Sequence, residues 1–329
     1  VSRLTGLLAR VPSAPPVLVR RLAIANLVAQ IGIGVTGSVV RVTGSGLGCS
    51  TWPQCEPGSM VPVSHAEIAP LHMWIEFGNR LLGILVVLAA GATLLGVLFT
   101  RPRRRRLTAL ALAMPLGVVA QAVIGGITVL AGLVWWTVML HFLASMVLVW
   151  FSVLLVDATT EADGPVTRTV PAAGRWLVAV STVVLAALLV AGTLVTAAGP
   201  HGGDPETPRL DIGIPLLAQL HADLLFGYLG TLIGLGFLLH ATGAPAALVR
   251  RFRLLVVIVL AQGLLGGVQY ALGVPELLVS LHVLGAGLVA AAAAGVWAAT
   301  ATRPPAAAPV PDGSAATADR PLAGATDRS

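Results

Sequence analysis

Gln121 and His141 stand twenty residues apart, and Gln262 and His282 repeat the interval. The strings QAVIGGITVLAGLVWWTVMLH (121–141) and QGLLGGVQYALGVPELLVSLH (262–282) share one order: Gln, Gly-Gly four and five residues on, a short apolar break, then a lone His. GSVVRVTG (37–44) and GTLVTAAG (192–199) echo each other ahead of them. A pattern recurring in both halves of a chain marks a duplicated unit. Here it duplicates an imidazole within an apolar run, which points to paired cofactor or substrate sites. Four His lie in such runs: His72, His141, His221 and His282. His65 and His201 fall in loops, and His240 falls near the other end of the sixth run. A polar side chain at membrane depth is expensive and usually functional. One such His is more often a helix-to-helix hydrogen bond, but four on alternate helices at one depth read as ligands. HMWIEFG (72–78) also resembles HADLLFG (221–227), which pairs His72 with His141 and His221 with His282. Two imidazoles from alternate helices of a bundle suit the two axial positions of a haem iron. Zinc would want three or four ligands, and no Cys or carboxylate cluster supplies the remainder.

Glu76 breaks the symmetry, since its counterpart in the second half is Leu225. It lies one turn after His72 and could accept a proton or order a water. It is also four residues before Arg80, and an ion pair would satisfy both charges without chemistry. Spacing alone supports the two readings equally. Gln121 and Gln262 could bond a haem substituent or act as helix glue. The pairs Gly125–Gly126 and Gly266–Gly267 remove side chains, so a backbone or a flat macrocycle can approach. Asp223 and Glu276 read as solvated residues near helix ends, and Trp135 and Trp136 as interfacial anchors. Cys49 and Cys55 are the only cysteines. A loop outside the cytoplasm permits a disulfide between them. Free thiols are the alternative, and two thiolates alone do not complete a zinc site.

These residues need apolar helices to position them, and the composition supplies them. Mean hydropathy is +0.90, and 10% of residues are charged against roughly 25% in ordinary soluble domains. Eight runs of about 20 residues or more are long enough to cross a hydrocarbon core: 19–40, 70–99, 107–130, 134–156, 172–196, 213–241, 251–274 and 276–300. The expected fold is an all-α integral membrane protein, eight transmembrane helices arranged as two pseudo-symmetric four-helix bundles. The expected divisions are a cytoplasmic N-terminal segment 1–18, a first half 19–156, a cytoplasmic linker 157–171, a second half 172–301 and a disordered cytoplasmic tail 302–329. All 20 basic residues are Arg, and Arg20, Arg21, Arg101, Arg103 to Arg106, Arg250, Arg251, Arg253 and Arg303 fall at alternate ends of the spans. That positive-inside distribution places both termini in the cytoplasm and the four intramembrane His toward the outer face of the cytoplasmic membrane. The net charge of +6 is therefore a topology and lipid-headgroup signal, not a nucleic-acid one.

VRVTGSGLGCSTWPQC (40–55), IEFGNR (75–80), QAVIGG with His141 and QGLLGG with His282 together resemble the haem A synthase family over nearly the whole chain. The resemblance implies two similar four-helix halves, one holding haem b and the other binding the substrate haem O. It implies oxidation of the C8 methyl of haem O to a formyl group, giving haem A for cytochrome c oxidase. The family's acid maps onto Glu76 as the catalytic residue, and its outer cysteine pair onto Cys49 and Cys55. Haem O would come from haem O synthase, and an electron-transfer partner or quinone would take the electrons. The lipid bilayer surrounds the protein, and a homo-oligomer is compatible with this reading. Two positions depart from the family pattern: Asn79 and Tyr228 stand where His is usual. His72 and His221 lie seven residues earlier and are expected to replace those ligands. Glu76 places haem O in the first half, between His72 and His141, and haem b in the second, between His221 and His282. The rival readings are a b-type cytochrome passing electrons from quinol to a partner, and a repeat-built transporter.

Overall fold

The computed structural model describes residues 13–63 and 69–304. His65, most of the N-terminal segment and nearly all of the C-terminal tail lie outside the described residues. Eight helices fall on the eight apolar runs: α1 Pro16–Val42, α2 Pro70–Leu98, α3 Arg105–Leu130, α4 Trp135–Thr160, α5 Ala172–Ala198, α6 Ile214–Ala241, α7 Ala246–Ala271 and α8 Glu276–Ala299. Each is long and apolar enough to cross a bilayer, and the chain is an integral, multi-pass membrane protein. At 24 to 29 residues they exceed the ~20 needed for the hydrocarbon core, so their ends reach the headgroups. Proline opens several of them, at Pro16, Pro70 and Pro215 or as the preceding residue at Pro171, Pro245 and Pro275. Its fixed φ suits a first helical turn, where the missing N–H has no intrahelical partner. Pro115 lies inside α3, as transmembrane helices tolerate.

The helices pack as hairpins, α1 on α2, α3 on α4, α5 on α6 and α7 on α8. α1, α4 and α8 meet along the seam between the halves, where Met146, Val149 and Ala290 form a small core with Leu27, Ile31 and Phe142. The first half closes tightly, with α1 against α4 and α2 against α3. The second is splayed: α6 barely touches α7, and α5 barely touches α8. Tyr228, Leu232 and Leu235 anchor its apolar core.

α4 runs four residues past the expected end of its span, to Thr160. The linker is also not wholly irregular. Its strand β1 (Thr167–Arg168) pairs antiparallel with β2 (Ala301–Thr302), tying linker to C-terminal segment. At this arginine-rich end Arg251 bonds Asp157 at 2.5 and 2.8 Å and the carbonyl of Gly295 at 2.9 Å, joining α7, α4 and α8. At the opposite, disulfide end the turns interlock. Gly46 N–H donates to the carbonyl of Gly203 (2.7 Å), and His201 Nε2 lies 2.8 Å from the carbonyl of Val274. The α3–α4 and α7–α8 turns repeat each other, with Gly132–Leu133 and Gly273–Val274 all at positive φ. In each, the non-glycine N–H caps its helix, Leu133 to Thr128 and Val274 to Gln269.

Candidate functional site

The repeated Gln and Gly lie four residues apart, so they share one helix face. In α7 that face is turned toward His282. Gln262 Nε2 donates to the His282 carbonyl at 2.8 Å, and a Cβ on Gly266 would lie 3.0 Å from the His282 Cε1. α3 does the same for His141. Gln121 Nε2 donates to its carbonyl at 3.1 Å and also to the Ser145 hydroxyl, and a Cβ on Gly125 would lie 3.2 Å from its Cε1. The motif is thus a device for seating a histidine borne by the next helix. The glutamine holds the backbone and the first glycine admits the ring. The second glycines differ. Gly126 takes the indole of Trp52, 2.5 Å from where its Cβ would be, whereas Gly267 faces open space.

His221 reaches the same region from α6. Its Nδ1 lies 3.1 Å from the carbonyl of Leu188, and a Cβ on Gly192 would lie 3.0 Å from its Cε1. An Nδ1–H donated to a carbonyl leaves Nε2 as the metal-binding nitrogen and fixes the ring. The His221 and His282 rings meet edge-on, with centroids 6.4 Å apart and planes at 66°. A metal–imidazole bond is about 2 Å, and two of them plus two ring radii span roughly 6 Å. One iron between these rings therefore fits the spacing, and the splayed α6–α7 packing admits a flat cofactor. The Nδ1 atoms of His282 and His141 are buried without a hydrogen-bond partner among the described residues. Buried nitrogens of that kind call for an explanation, and a ligand role supplies one. Among the described residues no group of three or more His, Cys, Asp or Glu converges, so the histidines act in pairs or singly.

The first half is built differently. His72 lies beneath the disulfide-end loop, its Nδ1 3.0 Å from Ser45 Oγ and its carbonyl 2.5 Å from where a Gly48 Cβ would be. The echo of HMWIEFG in HADLLFG does not extend to these surroundings. By the repeat offset, Leu188 and Gly192 correspond to Ile33 and Gly37 (188 − 33 = 192 − 37 = 155). The group facing Ile33 is Asn79, through Thr36: the Thr36 hydroxyl lies 3.2 Å from the Ile33 carbonyl and donates to Asn79 Oδ1 at 2.7 Å. Asn79 thus occupies the level on α2 that His221 occupies on α6. His72 is seven residues, about 10 Å, further toward the loop. Tyr228 is buried in the second-half core.

Glu76 is paired with Arg80. Its Oε1 accepts from Arg80 Nε (3.1 Å) and Nη2 (2.5 Å), and its Oε2 accepts from Cys49 N–H (2.7 Å). Arg80 also donates to the carbonyls of Thr51 and Gln54 at 2.9 and 3.1 Å. Cys49 and Cys55 form a disulfide with both cysteines buried. The ion pair thus clamps the disulfide loop onto α2.

Several residues near these sites were legible only as polar interruptions of spans or loops. Asn26 and Gln30 are fully buried on α1, Asn26 Nδ2 donating to Ser152 at 3.1 Å. Thr36, Arg41 and Arg209 complete the set. For those within the spans the signal was polarity at membrane depth, and for Arg209 a lone cation in an outer loop.

Comparison with known proteins places this architecture. Residues 20–200, more than half of the chain, match the model of the COX15-CtaA family, described as cytochrome oxidase assembly protein. That stretch covers all but the first turn of α1 and the whole of α2 to α5, including Glu76, Asn79 and His141, but not His221 or His282. A protein of Symbiobacterium thermophilum named heme A synthase is 30% identical over 145 residues, which is 44% of this chain. The aligned stretch spans just under half, 45%, of that relative's length. The chain belongs to the cytochrome oxidase assembly protein family.

Proposed function

We propose that this protein is a haem A synthase, oxidising the C8 methyl of haem O to the formyl group of haem A. Family membership and the named relative support the activity. The observation that carries the division of labour is the His221–His282 pair, 6.4 Å apart in the splayed second half. These residues would hold a haem b, which when bound supplies one-electron redox chemistry. Leu188 fixes the His221 ring through Nδ1, and Gln262 and Gly266 fix His282. The first half offers one seated imidazole, His141, and Asn79 rather than His72 stands at the position that the repeat matches to His221. We assign haem O to that half. One-sided ligation leaves the other face of the substrate free of a second protein nitrogen.

With water supplying the formyl oxygen, stepwise oxidation of the methyl group releases protons and electrons. Glu76, one turn from Asn79 on α2, is the carboxylate assigned to accept a proton, with Arg80 and Cys49 N–H keeping it in place. A haem held by His221 and His282 would supply the one-electron chemistry for passing these electrons to an electron-transfer partner or quinone. The arginine distribution supports cytoplasmic termini and a disulfide end outside the cytoplasmic membrane. The test is haem extraction and chromatography of purified protein, expressed with and without a haem O supply. Haem b together with haem A formed from haem O supports the synthase. Haem b alone, unchanged by haem O, would instead make the protein an electron-transferring b-type cytochrome.

A further inference from the structure

Three described arginines lie toward the disulfide end: Arg41 in the last turn of α1, Arg80 in α2 and Arg209 in the α5–α6 loop. Arg80 is matched by Glu76. The other two converge on one dipeptide, Gly202–Gly203. Arg41 Cγ lies 3.6 Å from where a Cβ on Gly203 would be, and the Arg209 guanidinium fills the space a Cβ on Gly202 would take. The two cations are close enough to repel each other. Arg209 donates to the carbonyls of Pro200 (3.0 Å) and Asp204 (3.4 Å), and the Asp204 carboxylate turns instead to the N–H of Glu206 (2.9 Å). Among the described residues neither Arg41 nor Arg209 has a carboxylate partner. Both side chains are half-buried.

Two half-buried like charges without a counter-ion are costly at the end of a membrane span. Guanidinium groups present planar forks that match oxyanions. Their position indicates which oxyanion. Leu133 packs against both Gly203 and Gly46 and opens the turn into α4, eight residues before His141. The pair therefore sits about 12 Å above the His141 level, toward water. A tetrapyrrole held by His141 must turn its charged carboxylates out of the hydrocarbon, toward this end.

We propose that Arg41 and Arg209, one from each half, form an oxyanion clamp for the propionate carboxylates of the tetrapyrrole seated on His141. The proposal rests on the assignment of haem O to the first half. Protein carrying its resident haem is titrated with haem O and, separately, with haem O dimethyl ester, followed by absorbance. One lost charge-assisted hydrogen bond corresponds to about tenfold to a hundredfold in affinity. Wild type should therefore bind the free acid more tightly than the ester by about that factor. In R41Q/R209Q the ratio should fall toward one, while ester affinity, which reports an intact fold, stays at the wild-type level. Wild-type binding of acid and ester with equal affinity overturns the clamp and leaves the first-half assignment standing. No binding of either form overturns both. A third arm compares thermal stability in phosphatidylglycerol and phosphatidylcholine nanodiscs. Stabilisation by phosphatidylglycerol that needs both arginines, with no acid–ester difference, would assign the clamp to lipid phosphate and refute the propionate reading.

Discussion

Adding one methyl group at Gly266 should weaken haem binding, and adding it at the adjacent Gly267 should not. A Cβ on Gly266 would lie 3.0 Å from the His282 Cε1, where ordinary contact begins at 3.4 Å. The ring or the helix must therefore give by 0.4 Å (3.4 − 3.0). The ring cannot easily retreat, because Gln262 holds the His282 carbonyl at 2.8 Å. Overpacking of this kind costs about 1–3 kcal/mol. Alanine's helix propensity returns up to about 1 kcal/mol of fold stability but does nothing for ring position. Displacement of the ligand thus translates into roughly tenfold weaker haem binding, since about 1.4 kcal/mol is a factor of ten. At Gly267 nothing lies within 4 Å of the added methyl, so only the propensity gain remains. The assay is haem titration into apo-protein with absorbance detection, alongside thermal unfolding. Gly266→Ala should bind haem more weakly, and Gly267→Ala should match wild type in binding and equal or exceed it in stability. Equal behaviour of the two variants, in either direction, would refute the idea that the first glycine seats the histidine.

His221→Ala and His282→Ala should each abolish retention of the second-half haem, while His72→Ala should leave haem content unchanged because its ring is engaged with Ser45; haem loss in His72→Ala on pyridine haemochrome analysis would return that residue to the ligand set. Asn79→His should place a second imidazole at the level of His221, and the bound substrate haem should change from a one-imidazole to a two-imidazole absorbance spectrum; an unchanged spectrum would mean that Asn79 does not face the substrate. Glu76→Gln removes the charge that holds Arg80, and with Arg80 21% exposed the loss should be about 1–3 kcal/mol, below that of a fully buried pair. Thiol reagents should then reduce Cys49–Cys55 faster, and a wild-type reduction rate would show that the ion pair does not clamp the loop.

Fold class, span positions and the repeat were legible in the primary structure because hydrocarbon imposes them locally. A run of apolar residues long enough to cross must close its own backbone hydrogen bonds, so each becomes a helix regardless of its neighbours. The four intramembrane histidines stood out for the same reason, as did the Gln and Gly-Gly positions duplicated with His141 and His282. What each of them touches was not legible, because that depends on how far one helix slides along another. HMWIEFG and HADLLFG match residue for residue at His, Phe and Gly, yet His221 faces Leu188 while His72 faces Ser45. A slip of two turns costs an apolar helix surface little, since its contacts are interchangeable along the axis. It moves a polar side chain to a different partner altogether. Spacing likewise left Glu76 evenly divided between chemistry and an ion pair, and only the three-dimensional packing brought Cys49 N–H and Arg80 onto its two oxygens. The convergence of Arg41 with Arg209 is the extreme case. The two residues are 168 positions apart (209 − 41), and only the interlocking of turns at the disulfide end brings their charges together.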